Sequence, residues 1–228
     1  VDVTATIDRD PPSSAGAPPD VPDDVGGDAD VLPWWMNPVN LVVMALAIAV
    51  LAAAGGYVVG NNRALPDPNA TDVGFLQDMR FHHEQAMQMS FIYLDLDGTD
   101  PRLATLAREI LAGQGVEIGR MAQLLISFGE ETVNTSGLSM AWMGAPVELD
   151  RMPGIASPDD LLALRSASGT EASQIFAELM IAHHEGGLHM AEHALEHAST
   201  DEVRAMARQM IDGQTGEIGE MRRWLVSI

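Results

Sequence analysis

The sequence predicts an all-α protein: a four-helix bundle made from a duplicated helix hairpin, preceded by one transmembrane helix. An internal repeat and an uncharged run carry this expectation. The segment FLQDMRFHHEQAMQMS (75–90) aligns with FAELMIAHHEGGLHMA (176–191) at an offset of 101, placing His82-His83-Glu84 on His183-His184-Glu185 and Met89 on Met190. About twenty residues beyond each copy, AREILAGQGVEIGRMAQLL (107–125) aligns with ARQMIDGQTGEIGEMRRWL (207–225) at an offset of 100, pairing Gln114 with Gln214 and Glu117 with Glu217. A helix pair repeated with polar residues in register is the pattern of one pseudo-twofold bundle with ligands gathered between its helices. The uncharged run, VNLVVMALAIAVLAAAGGYVVG (39–60), has 22 residues. As a helix it reaches about 33 Å, enough for a bilayer core.

In chain order, residues 1–38 hold eight aspartates and one arginine among Pro, Gly and Ala. Such a stretch buries too little apolar surface to offset its ordering entropy, so a disordered acidic tail is expected. The run 39–60 is flanked by Trp34, Trp35 and Tyr57, placed like interfacial anchors. Ala52-Ala53-Ala54 resembles a signal-peptidase site, but a secretory signal needs a basic start and the preceding residues are acidic. A retained single-span anchor is the expectation. Residues 61–70 (NNRALPDPNA) form a linker interrupted by prolines, and 71–228 form the bundle.

The first bundle helix is predicted over 71–96, ending at Asp97-Gly98. Asp100-Pro101 opens the second, which runs to Phe128 before Gly129. A connection over 130–170 contains a short helix capped by Ser157-Pro158-Asp159-Asp160. The third and fourth long helices are expected over 171–198 and 200–226.

Composition narrows the chemistry. The chain of 228 residues carries 33 acidic residues against 12 cations, for a formal charge of −21, and no cation is lysine. That balance excludes nucleic acid as a partner. Cysteine is absent and methionine numbers 14, so a metal would be held by His, Met, Asp or Glu. Thioether ligands favour Cu(I). The lack of lysine beside abundant Ala, Gly and Arg points to a high-GC, actinobacterial source. No nucleophile–base pair, phosphate loop or triad is visible.

Helical spacing puts Met79, His82, Ala86 and Met89 on one stripe, and Met180, His183, Gly187 and Met190 on its counterpart. Ile110, Gln114, Glu117 and Met121 share a face, as do Met210, Gln214, Glu217 and Met221. The centre is therefore expected to hold His, Gln, Glu and Met in pairs. Either they form a structural polar layer or they bind a metal. His83 and His184, about 100° around their helices, fall nearer a boundary, as second ligands or as supports for the first. His83 and Met87 are four residues apart, a chelating spacing that copy two lacks, with Leu188 in place of Met. Away from this stripe, His189, His193 and His197 recur once per turn beside Glu185 and Glu192. They fit either a Zn(II) or Cu(II) chelate or a solvated face.

The motifs MRFHHEQAMQM (79–89), GQGVEIGRM (113–121), MPGIAS (152–157), LMIAHHEGGLHMAEHA (179–194) and GQTGEIGEM (213–221) resemble the bacterial family named domain of unknown function 305. The resemblance spans nearly all of 72–226. It implies a ferritin-like four-helix bundle, exported or membrane-anchored, with copper binding among its members. It further implies His82, His83, Met87, Met89, His183, His184 and Met190 as metal positions; the shared helix faces add Glu117 and Glu217 as candidates in or behind the ligand set. It places the domain outside the cytoplasm, although Arg63 beyond the span weakly favours the reverse by charge alone. Two departures stand out: Ile155 replaces a family methionine, and Arg120 and Glu220 occupy the positions where di-iron bundles carry the histidine of Glu-x-x-His. The expected function is copper sequestration or handling by a membrane-anchored, non-catalytic protein. The alternatives are an accessory subunit of a larger membrane complex, such as a respiratory one, with a structural histidine layer, and a ferritin-like oxidoreductase.

Overall fold

The computed structural model describes residues 33–61 and 67–228; most of the expected acidic tail and half of the linker lie outside the described residues. The chain divides into two units, one ending at Val59 and the other beginning at Gly60.

In the first unit a 3₁₀ turn, Trp34–Met36, leads into α1, Pro38–Asn61. Residues 34–36 thus have regular structure, where a structureless tail was expected to extend to 38. The asparagines account for this: Asn40 Nδ2 donates to the Trp34 carbonyl at 2.7 Å, and the Asn37 side chain accepts from the Val39 amide at 3.0 Å. The two indoles meet edge to face at 5.9 Å. Helix α1 carries no charge and leaves Val50, Leu51 and Val42 exposed within the protein. This helix, apolar on every side, is long and apolar enough to cross a membrane.

The second unit contains α2 (Ala70–Leu94), α3 (Pro101–Phe128), α4 (Pro158–Ser166), α5 (Gly169–His197) and α6 (Asp201–Val226). The four long helices form a bundle in which α2 packs on α3, α5 packs on α6, and α2 meets α5 across the centre. Local chemistry sets their ends. Asn69 and Asp72 form a reciprocal capping box at α2. Asp100 caps α3 ahead of Pro101, and Gly129, at φ 78°, closes it in the left-handed conformation. Ser157 and Asp160 form a second capping box at α4, and the Thr200 side chain accepts from the Val203 amide at α6.

Asp72 also ties the two hairpins together. Its carboxylate accepts from Ser199 Oγ at 2.6 Å, from Thr200 Oγ1 at 2.6 Å and from both of their amides. Burial pushes this carboxyl up, and the bonds from Ser199, Thr200 and Asn69 outweigh that effect and hold it below its ordinary value.

The core has two apolar halves. One gathers Phe75, Met79, Met121, Leu125, Met190 and Met206. The other gathers Met89, Tyr93, Ile110, Phe176, Met180 and Met221, with Tyr93 stacked on Phe176 at 4.2 Å. On every long helix the residues between the halves are polar: His82 and His83 on α2, Gln114 and Glu117 on α3, His183 and His184 on α5, Gln214 and Glu217 on α6. The duplication has therefore produced one polar layer across the middle of the bundle.

The connection between α3 and α4 is anchored to α2. A two-stranded antiparallel ribbon pairs Leu138 with Glu148 and Ser139 with Val147. Buried Asp78 accepts from the Met140 amide at 2.7 Å, Trp142 Nε1 at 2.8 Å and Asn134 Nδ2 at 2.7 Å. Trp142 lies over Gly74, where a Cβ would stand 2.2 Å from its ring. The end of the connection, Met152–Ser157, reaches the polar layer.

Candidate metal centre

The four histidines of the double-His motifs are brought together and are buried, none more than 1% exposed. His82 and His183 face each other across the α2–α5 contact with ring centroids 3.7 Å apart and planes at 33°. Gly187, one turn along from His183, makes room for a side chain of α6. A Cβ at position 187 would stand 2.6 Å from Gln214 Oε1. Two positions differ from the sequence expectation. His83 and His184 are fully buried, and it is Glu117 and Glu217 that lie at the boundary, with side chains 22% and 26% exposed. The cause is the partner helix of each hairpin: α3 covers His83 and α6 covers His184, which a helix taken alone does not reveal.

Each histidine uses Nε2 to reach an oxygen. His82 Nε2 is 3.2 Å from the Pro153 carbonyl, and His183 Nε2 is 2.8 Å from the His82 carbonyl. His83 Nε2 is 2.8 Å from Glu117 Oε2, and His184 Nε2 is 2.6 Å from Glu217 Oε2. The Nδ1 atoms of all four are buried without a partner, as are both polar atoms of the Gln114 amide and Oε1 of Gln214. Buried polar atoms are ordinarily bonded, so this concentration marks a place prepared for something polar or cationic.

The electrostatics keep the central pair uncharged. Burial, followed by the neighbouring His83, pushes His82 down to about 3, against the opposing bond to Pro153. Burial likewise holds His183 well below the ordinary histidine value, reinforced by His82, His184 and His83. Neutral imidazoles are available to a metal without first losing a proton.

Thioethers flank the layer on both sides. Met89 and Met190, expected as ligands, are buried in opposite halves of the core, and Met79 and Met180 mirror them. Met87 is half-buried, its methyl 3.8 Å from where a Cβ on Gly115 would stand. Soft thioethers with neutral imidazoles form a donor set suited to a soft cation. Among the described residues no three His, Asp or Glu side chains converge as a ready ligand cluster, so a bound ion would draw on thioethers or on movement of these rings. The His189, His193 and His197 stripe stands apart. His189 and His197 are exposed, His193 and His197 stack at 4.0 Å, and Trp142 meets His193 edge-on at 5.4 Å.

Sequence reasoning missed the loop over the layer. Gln85 accepts from the Ala156 amide at 2.7 Å and donates to the Ala156 carbonyl at 2.8 Å. Opposite, Gly186 leaves room for the Pro153 carbonyl, which a Cβ there would approach to 1.9 Å. Gly154, at φ 81°, lies against the backbone of Ala182 and His183. The signal was present in the repeat: copy one reads Gln85-Ala86 where copy two reads Gly186-Gly187.

The fold and this layer define a class: helical bundles with a duplicated double-histidine hairpin around a buried His/Met centre. Residues 72–225 match the family described as Domain of unknown function (DUF305), and the chain belongs to it. No curated protein matches the sequence. Among solved structures, one of a DUF305 protein from Streptomyces coelicolor, described as secreted, is 32% identical with a TM-score of 0.64, covering 69% of this chain and 93% of that one. A DUF305 fragment from Deinococcus radiodurans is 28% identical with a TM-score of 0.61, covering 72% and 100%. CopM in its Cu(I)-bound form is 27% identical with a TM-score of 0.51, covering 70% and 98%. CopM has also been solved with silver and with Cu(II).

Proposed function

We propose that this protein is a membrane-anchored, extracytoplasmic copper-binding protein that sequesters or hands on Cu(I). The observation that carries the reading is the buried layer of four histidines whose Nδ1 atoms lack partners, set between methionine-rich core halves. The copper- and silver-bound forms of CopM support the choice of metal, and the secreted Streptomyces relative supports the location. His82, His83, His183 and His184 would hold the ion together with thioethers from Met89, Met190 and Met87, while Glu117 and Glu217 back the outer imidazoles. Copper here is cargo, and the donor set favours its reduced state. Helix α1 would serve as the anchor. The His189, His193 and His197 stripe is a separate, weaker candidate for a second ion.

The test is competition of the full chain, in mild detergent, against a chromophoric Cu(I) chelator. Changing His82, His83, His183 and His184 together to Ala should abolish tight binding. Retained affinity in that variant, with a lowered Tm, would make the layer structural. Protease added to intact spheroplasts should digest residues 67–228; protection until lysis would place the domain in the cytoplasm.

One observation favours a second reading. Every Nε2 in the layer already has an oxygen partner, as expected of a structural layer in an accessory subunit of a membrane complex. A metal-free stable complex recovered from native membranes would favour that reading.

A further inference from the structure

The hydrogen-bond partners of the four histidines place a proton on the same nitrogen of each ring. Carbonyl and carboxylate oxygens only accept hydrogen bonds, so a ring nitrogen 2.6 to 3.2 Å from one must carry the proton. In each of the four rings that nitrogen is Nε2. A neutral ring with its proton on Nε2 keeps its lone pair on Nδ1. All four Nδ1 atoms are buried and face no donor. Two of the acceptors, the Pro153 and His82 carbonyls, belong to the backbone and cannot be altered by substitution. The other two are side chains, Glu117 and Glu217, which occupy matching places in the repeat.

We infer that Glu117 and Glu217 are positioning residues that lock His83 and His184 in the Nε2–H tautomer, so that the layer offers soft cations four Nδ1 donors. The inference rests on the copper reading for its ligand, while the tautomer lock stands on the hydrogen bonds alone. Several features of the layer fit a lock of this kind. The carboxylates sit at the protein boundary, partly open to solvent, yet they reach rings that are fully buried. An Nε2–H bond to carboxylate also raises the basicity of the free nitrogen. Binding through Nδ1 brings the metal close to the helix backbone. One turn beyond His183, Gly187 presents no Cβ to the layer and lies against the Gln214 amide, whose Oε1 has no partner of its own. The symmetry of the lock is only partial: the inner pair is held by main-chain oxygens and the outer pair by carboxylates, so only the outer pair is open to tuning by mutation.

Long-range ¹H–¹⁵N spectra of the full chain in detergent micelles, with ¹⁵N-labelled histidine, read the tautomers directly. Wild-type apo protein should show four rings protonated on Nε2, separable from the three rings of His189, His193 and His197 by substitution of those three. Titration with Cu(I) should move the Nδ1 resonances of the four. The Glu117→Ala, Glu217→Ala variant should show tautomer mixing at His83 and His184 and lose about 10- to 100-fold in Cu(I) affinity. The Glu117→Gln, Glu217→Gln variant, whose amide oxygen still accepts, should recover most of both. Unchanged tautomers in the Ala variant, or movement of Nε2 in place of Nδ1 on titration, would overturn the inference. If the four Nε2–H tautomers are present but wild-type protein takes up no Cu(I), the copper reading fails and the lock stands. If copper binds tightly to rings protonated on Nδ1, the lock fails and the copper reading stands.

Discussion

Acidification should destabilise the bundle before its capping carboxylates titrate. In the folded protein His82 is pushed down to about 3, whereas an unfolded histidine titrates at about 6.5. Between these values the unfolded chain binds a proton that the folded chain refuses, so stability rises with pH across this window and falls as the solution is acidified. At pH 5 the penalty from His82 is roughly 2 kcal/mol. His183, held well below its ordinary value by the same burial, adds to the loss in the same direction. The His82 penalty alone is a sizeable part of the ~5–15 kcal/mol that separates folded from unfolded domains. His193, lowered chiefly by burial, acts in the same direction, but its half-exposed ring is screened by solvent. Asp72 and Asp100 lie below the ordinary carboxylate range, Asp100 at about 2 chiefly through its bond with Arg102. Their stabilisation is complete above the unfolded carboxylate value of about 3.9 and is lost only below it, so it is intact at pH 5. Urea unfolding of the full chain in non-ionic detergent, followed by helical circular dichroism at pH 7.5 and pH 5, measures the loss. The His82→Gln, His183→Gln variant should largely lose the dependence. A wild-type midpoint that does not move between the two pH values would show that the central pair is not buried in its neutral form.

Four further outcomes are expected from the packing and hydrogen bonding. Gly186→Ala should destabilise by about 1–3 kcal/mol and make residues 152–157 sensitive to protease, because its Cβ meets the Pro153 carbonyl at 1.9 Å. Gly187→Ala should be milder, since its closest neighbour is the Gln214 side-chain amide, which can shift; Tm measurements on the two variants give the comparison. Gly74→Ala should expel Trp142 from its place 2.2 Å away, visible as a red shift in tryptophan emission with a loss of about 1–3 kcal/mol. Asp72→Ala should cost about 3 kcal/mol in urea unfolding, because Ser199 and Thr200 lose a buried acceptor shared by four of their donors.

The bundle was legible because its signals are local and doubled. Asp100-Pro101, Gly129 and Ser157 with Asp160 mark helix ends by capping chemistry alone, and the repeat pairs the hairpins. The polar layer was legible too, since His, Gln, Glu and Met recur in register. The depth of each residue in that layer was less so. Angular position on a single helix put His83 near the edge and Glu117 inside, whereas the structure reverses them because α3 lies over His83. The 130–157 connection has no periodicity to read. Its docking depends on side chains 50 to 70 residues away, Asp78 on Trp142 and Gln85 on Ala156, each a pairing that only the fold creates.

The contrast between Gln85 and Gly186 bears on why both hairpins belong to one chain. Two identical hairpins associating as a homodimer would carry the same residue at both positions: two glutamines would present two clamps and no gap, and two glycines two gaps and no clamp. Here one side grips the Ala156 backbone and the other yields to the Pro153 carbonyl, so a single loop can seat between two halves that are otherwise alike. Covalent linkage thus frees the repeats to diverge where the loop docks, as they also do at Met87 and Leu188, while the four long helices keep their paired arrangement. The loop then gives the layer a front and a back, which a strict dimer would lack.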